Sequence, residues 1–179
     1  MRDTHFGNVV NMEIVAYDST DVLAVGERLP FADASFDAVL SLNVIEHVRD
    51  PFQAAREITR VLKPGGELYC VLPFMQPFHG YPNHYYNATS AGLRNLFSSL
   101  TIERAEVAGG GTPIFALSWI LQWWLAALPP GAAERFASMT VGELAVDPLG
   151  LLPEPFVTDL SLDMRERLAC ANMLIARKP

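Results

Sequence analysis

Asn43, Glu46 and His47 close one apolar run of this sequence, FDAVLSLNVIEHV. An amide, a carboxylate and an imidazole at the end of a strand could bind a polar ligand. The imidazole could also accept a proton near neutral pH, where unperturbed histidine titrates. A packed or solvent-facing histidine is the plainer alternative for His47, and a turn-capping role the plainer one for Asn43. A second group, His79, Tyr81, His84, Tyr85 and Tyr86, falls in the loop FMQPFHGYPNHYYNA. These five either line a pocket or form a packed surface loop. Asp37 is reactive by type, but it begins its strand, and a turn role suits it better. No metal-ligand cluster is visible, and Cys70 and Cys170 make no CxxC or Cys/His spacing.

The elements that must position these groups are legible. Residues 9–14 and 21–26 are short apolar runs, and residues 32–35 are a polar turn. Residues 36–44 carry apolar side chains on both faces, as a parallel strand covered on each side does. Asp50-Pro51 starts a helix, with Asp50 as cap, Pro51 in the first turn and Gln53 near capping-box spacing. Phe52, Ala55, Ile58, Val61 and Leu62 recur at helical spacing, and Lys63-Pro64-Gly65-Gly66 stops the helix. Residues 67–73 are the next strand. Thr89 caps a helix running to about Phe97. Residues 100–107 are a strand candidate, a helical block runs from 112 to about 144, and residues 167–177 are expected as the last strand.

With 179 residues, one domain over 1–179 is expected, with 112–150 as a helical insertion or lid within it. The net charge of −7 argues against nucleic acid as a partner, since phosphate binding needs clustered Lys and Arg. Both cysteines are expected as reduced, buried thiols. The start, MRDTHFGNVV, lacks the apolar core of a signal peptide, so a cytoplasmic location is expected. The stretch PIFALSWILQWWLAAL holds all three tryptophans. It is shorter than the roughly 18–20 residues of a membrane span, and its polar face carries no Lys or Arg. It is expected as a helix in the core, in a lid or at a homo-oligomer contact through Trp119 to Trp124. Weak membrane association is the minor alternative.

The segment ERLPFADASFDAVLSLNVIEHVRDPFQAAREITRVLKPGGELYCVLPF resembles class I S-adenosylmethionine (SAM)-dependent methyltransferases, in particular the large group acting on small molecules. The likeness covers residues 9–97 well and 167–178 loosely. It implies an α/β, Rossmann-like sheet with ligands at the carboxyl ends of the strands. It further implies that Glu13 takes the ribose hydroxyls of SAM and that Glu27, Arg28 and Leu29 lie by the adenine. Asn43 and Val44 would sit under the methionine portion and the methyl group. His47 would face the acceptor, with His79, Tyr81, His84, Tyr85 and Tyr86 in its pocket. The apolar composition leans toward a bulky or lipophilic small molecule.

The family begins with a strand, a glycine-rich turn and a helix, and MRDTHFGN cannot supply them. The expected sheet is therefore incomplete at the N-terminus. Either a slot stays open in it, or residues 9–14 pair directly with residues 36–44. Three readings follow. The chain is a truncated methyltransferase; or it has lost SAM binding and serves as a binding or scaffold module; or it is half of a site completed by another chain or a swapped homodimer.

Overall fold

Asp50 starts the element that organises the first half of the chain. Its Oδ1 accepts the Gln53 N–H at 2.8 Å, and helix α1 (Pro51–Val61) follows with proline in its first turn. The reciprocal half of a capping box is not made, because the Gln53 side-chain oxygen accepts from Arg56 and the Asp50 N–H donates to Glu27 Oε1 instead. Asp50→Ala should cost about 1 kcal/mol, the usual worth of such a cap, measured by denaturant unfolding. The buried face of α1 consists of Pro51, Ala54, Ala55, Ile58 and Val61.

The computed structural model describes residues 7–80, 82–109, 111–175 and 177. The class is α/β. Strand β1 (Met12–Glu13) pairs in parallel with β2 (Val22–Leu23), and β3 (Phe36–Leu42) pairs in parallel with β4 (Leu62–Val71). These are two separate two-stranded sheets, so β1 does not pair with β3. Of the two arrangements expected for residues 9–14, direct pairing with residues 36–44 is not found.

Strand β4 starts earlier than expected, because Leu62 leaves α1 in extended geometry and pairs with Phe36. The next pair is Ala38 with Glu67, so the stretch from Lys63 to Gly66 is slack in the ladder. Gly65 supplies its turn with φ +77°. A Cβ at Gly66 would meet the Lys63 carbonyl at 3.0 Å and the Asp37 carbonyl at 3.1 Å. Asp37 accepts from Lys63 Nζ at 2.8 Å across this turn, a structural role.

One face of the β3–β4 pair packs on α1. Val39, Leu68 and Cys70 join a cluster of Ile45, Val48, Ala54, Ala55, Ile58, Leu62 and Phe97. The other face departs from the expected two-sided cover: Leu40 is 70% exposed and its partner Tyr69 52%. Helix α2 (Ser90–Leu96) follows, capped by the Thr89 hydroxyl on the Gly92 N–H at 3.1 Å.

The described chain divides into two compact units. One runs through residue 74 and resumes over Gly80–Ala108; the other takes Met75–His79 and continues from Gly109. The second unit holds α3 (Pro113–Ala126), α4 (Pro130–Ser138), α5 (Val141–Leu144), α6 (Pro155–Thr158) and α7 (Leu162–Arg167). Its core is Leu128, Ala132, Phe136, Phe156 and Leu160. Trp124 Nε1 donates to the Phe156 carbonyl at 2.7 Å, and the Phe136 and Phe156 rings stack at 5.0 Å. No helix among the described residues is long and apolar enough to cross a membrane.

Two expected strands do not form. Residues 100–107 are irregular, and the chain turns irregular after α7 where a last strand was expected. Met173, Leu174 and Ile175 are more than 80% exposed there, and an apolar run without a neighbour to pair with gains nothing from strand geometry. Cys170 is exposed for the same reason, which corrects the expected burial; Cys70 in β4 is largely covered.

Candidate active site

The end of β3 bends sharply. Asn43 adopts φ +52°, a left-handed conformation asparagine tolerates, and its N–H donates to the Val71 carbonyl at 3.0 Å. Asn43 and Val44 are exposed, and a short 3₁₀ turn, Ile45–His47, follows. Ile45 points into the core, at 1% exposed, and carries Glu46 down with it.

Glu46 is fully buried, at 0% exposure. Neither carboxyl oxygen has a hydrogen-bond partner. Burial pushes its pKa above the ordinary value. Its own backbone amide and His47 favour the charged form less strongly, the amide lying close without hydrogen-bonding geometry. The carboxyl oxygen Oε1 stands 3.9 Å from His47 Nε2. Behind it, burial raises the Cys70 thiol to about 11, the neighbouring Ser41 hydroxyl lowering it and the Glu46 charge adding to the rise. A buried thiol held that high is not a nucleophile at neutral pH.

His47 has a defined orientation. Its Nδ1 lies 2.7 Å from the Asn83 carbonyl. A carbonyl only accepts, so Nδ1 carries a proton in this contact. The loop carrying Asn83 is docked from below: the Tyr85 and Tyr86 N–H groups both donate to the Glu46 carbonyl, at 2.7 and 3.3 Å. Tyr86 Oη donates to the Arg49 carbonyl at 3.1 Å, and the Arg49 guanidinium lies 5.9 Å from the Tyr85 ring centre. The His84 ring meets the His47 ring at 5.6 Å, and its Nε2 lies 2.9 Å from Asn87 Oδ1. Gly80 makes room for the imidazole: at φ +108°, a Cβ there would fall 2.8 Å from His47 Nδ1.

The structure thus gathers His47, His84, Tyr85 and Tyr86 at the carboxyl end of β3, in the first unit. His79 packs in the second unit, its ring 5.2 Å from Trp119 and its Nδ1 2.8 Å from the Pro77 carbonyl. Tyr81 lies outside the described residues. Glu13 ends β1 half-buried, and the Ala24 N–H donates to its carbonyl, not to its carboxylate. Arg28 is exposed. Glu27 does not stand open to a ligand: its Oε1 accepts from the Arg49 and Asp50 N–H groups, at 2.9 and 3.4 Å. Leu29 is held by its main chain, its N–H donating to Glu57 Oε2 at 2.8 Å and its carbonyl accepting from Arg60 Nη2 at 3.0 Å.

What sequence reasoning passed over is the burial of Glu46, which it named only as a carboxylate at the strand end. Its signal was present: an acid between Ile45 and a valine-terminated pair, in a turn whose apolar neighbours must face inward.

The residues present fit SAM in part. The half-buried Glu13 carboxylate suits a pair of ribose hydroxyls, whereas the Glu27 carboxylate is spent on the start of α1.

The sequence agrees with known proteins in this region. Residues 6–70 match the methyltransferase domain family. This likeness supports reading that segment as part of a class I SAM-dependent methyltransferase domain. An uncharacterized methyltransferase of Mycobacterium tuberculosis is 37% identical over 135 residues, covering 60% of this chain and 52% of the relative. One from Mycobacterium avium is 42% identical over 86 residues, covering 45% and 34%. A solved Thermotoga maritima SAM-dependent methyltransferase, titled a possible histamine N-methyltransferase, is 31% identical over 45% of each chain, with a TM-score of 0.39. The chain spans about half the length of the first of these mycobacterial relatives.

Proposed function

We propose that the first unit binds SAM and supports methyl transfer to a small-molecule acceptor, with His47 as the proton acceptor. The single observation behind this reading is the fixed orientation of His47, whose Nδ1 is held on the Asn83 carbonyl at the carboxyl end of β3. Glu13 would hold the ribose, the main chain at Leu29 the adenine side, and Asn43 and Val44 the methionine side. SAM supplies an activated methyl group on a sulfonium. The protein's part is alignment and exclusion of water, plus a base where the acceptor must lose a proton. His84, Tyr85 and Tyr86 would line the acceptor pocket, their aromatic surface suiting a bulky or lipophilic molecule. Isothermal titration of SAM into the 179-residue chain tests this. Micromolar one-to-one binding, weakened by Glu13→Ala, is expected. A folded sample without any heat of binding to SAM or its demethylated product would refute it.

One observation favours a second reading, a binding or scaffold module. No residue of α3 is buried, and Ile114 and Phe115 are 68% and 53% exposed. That reading expects a folded, SAM-blind chain that self-associates through Trp119 to Trp124. A monomer at all concentrations in analytical ultracentrifugation would count against it.

A further inference from the structure

Arg60 has spent every donor it owns. A guanidinium carries five N–H groups. In this structure Nε donates to Glu57 Oε1 at 2.8 Å, and Nη1 to the Phe31 carbonyl and Asp33 Oδ1, both at 2.8 Å. Nη2 donates to the Leu29 carbonyl at 3.0 Å and to Glu57 Oε2 at 2.8 Å. Glu57 is engaged as fully, because its Oε2 also takes the Leu29 N–H at 2.8 Å. One ion pair on α1 therefore holds both main-chain polar groups of Leu29 and the next carbonyl but one. The Glu57 side chain is only 13% exposed, so solvent competes weakly for these bonds.

An ion pair serving only to stabilise α1 would close on itself, as an i,i+3 pair does. This i,i+3 pair closes on itself through two bonds and, in addition, reaches outward from the helix onto a loop with its remaining donors and the shared Glu57 oxygen. The loop is the stretch that joins β2 to β3. Gln53 and Glu27 extend the contact, since Gln53 Nε2 donates to the Glu27 carbonyl and the Glu27 carboxylate accepts at the helix start. Residues Gln53, Glu57 and Arg60 follow one another at helical spacing, so one face of α1 grips the loop from Glu27 to Asp33.

We propose that Glu57 and Arg60 are positioning residues that set the main chain at Leu29 to Asp33 in the geometry that receives SAM. The proposal rests on the reading of the first unit as a SAM-binding site. It assigns the specificity of that loop to side chains on α1 that never touch the ligand.

The test is titration of SAM into the full chain and its variants, at a temperature where circular dichroism shows each one folded. Arg60→Ala should weaken binding about tenfold, and Arg60→Lys by less, because an ammonium keeps the charge but loses the planar fork. Lys63→Ala should stay within twofold, since its partner Asp37 lies outside this loop. Asp50→Ala controls for a general loosening of α1 and should also stay within twofold. Equal losses in Asp50→Ala and Arg60→Ala would overturn the proposal, leaving the pair a purely structural role. So would a folded Arg60→Ala chain that binds as tightly as the wild type. If Arg60→Ala does not fold, Arg60→Lys and amide exchange at Leu29 in Glu57→Gln decide; faster exchange there than in the wild type, with weaker binding, supports the proposal, and unchanged values overturn it. A wild-type chain blind to SAM refutes the underlying reading and the proposal with it; loss confined to the variants cannot be confused with that result.

Discussion

Glu46→Leu should make the protein more stable. Leucine fills much the same volume, and Ile45 and Val48 already make its surroundings apolar. The substitution removes two buried oxygens without partners. The expected gain is about 1–3 kcal/mol, the usual cost of orphaned buried polar groups. It has a signature in pH. Burial raises the Glu46 pKa, so the folded chain holds that proton more tightly than the unfolded one. Stability then falls as pH rises through the ordinary value of 4.5 and stays lower above the raised one. The advantage of the leucine variant should be largest at pH 7 and should shrink below pH 4.5. Denaturant unfolding of both chains at two pH values measures it. A leucine variant less stable than the wild type at pH 7 would show that Glu46 has a partner in solution. A buried acid kept at such a cost beside His47 is the pattern expected where a site takes precedence over stability.

Gly80→Ala should act in the opposite sense. Two penalties fall on one atom. The residue sits at φ +108°, a backbone region that side chains rarely adopt, and the new Cβ would press on the His47 ring. The backbone strain alone is worth roughly 1–3 kcal/mol. The ring cannot retreat freely, because the Asn83 carbonyl holds its Nδ1. The expected result is a lower unfolding midpoint together with a moved His47 imidazole resonance. An unchanged resonance in a folded Gly80→Ala chain would mean that the glycine does not set the position of the imidazole.

The parts of the fold that were legible are those with local causes. Asp50 and Thr89 cap the helices they precede because a short acceptor side chain meets free N–H groups three residues on. Gly65 serves the turn that follows the helix because the chain needs a left-handed residue there, although the helix itself ends earlier, at Val61. The parts that were not legible depend on distant partners. Glu27 looked open to a ligand, and only the return of the chain at Arg49 closes it off. Residues 167–177 have strand composition, but a strand is made by a neighbour, and the described residues offer them none. The two-sided apolar pattern of β3 led to an expectation of cover on both faces, yet Leu40 and its β4 partner Tyr69 remain more than half exposed. The candidate site shows the same division. His47 was legible from its type and place. The burial of Glu46 and the docking of the loop from Asn83 to Tyr86 arise from tertiary packing.

Each unit has an apolar cluster of its own, and all three tryptophans stand in α3 of the second. Intrinsic fluorescence is consequently a one-sided witness. Tryptophan emission follows the surroundings of Trp119, Trp123 and Trp124, all in the second unit. The chromophores beside His47 are Tyr85 and Tyr86. A melting curve recorded on tryptophan reads chromophores of the second unit alone, whereas tyrosine absorbance and backbone dichroism include chromophores of the unit that holds the candidate site.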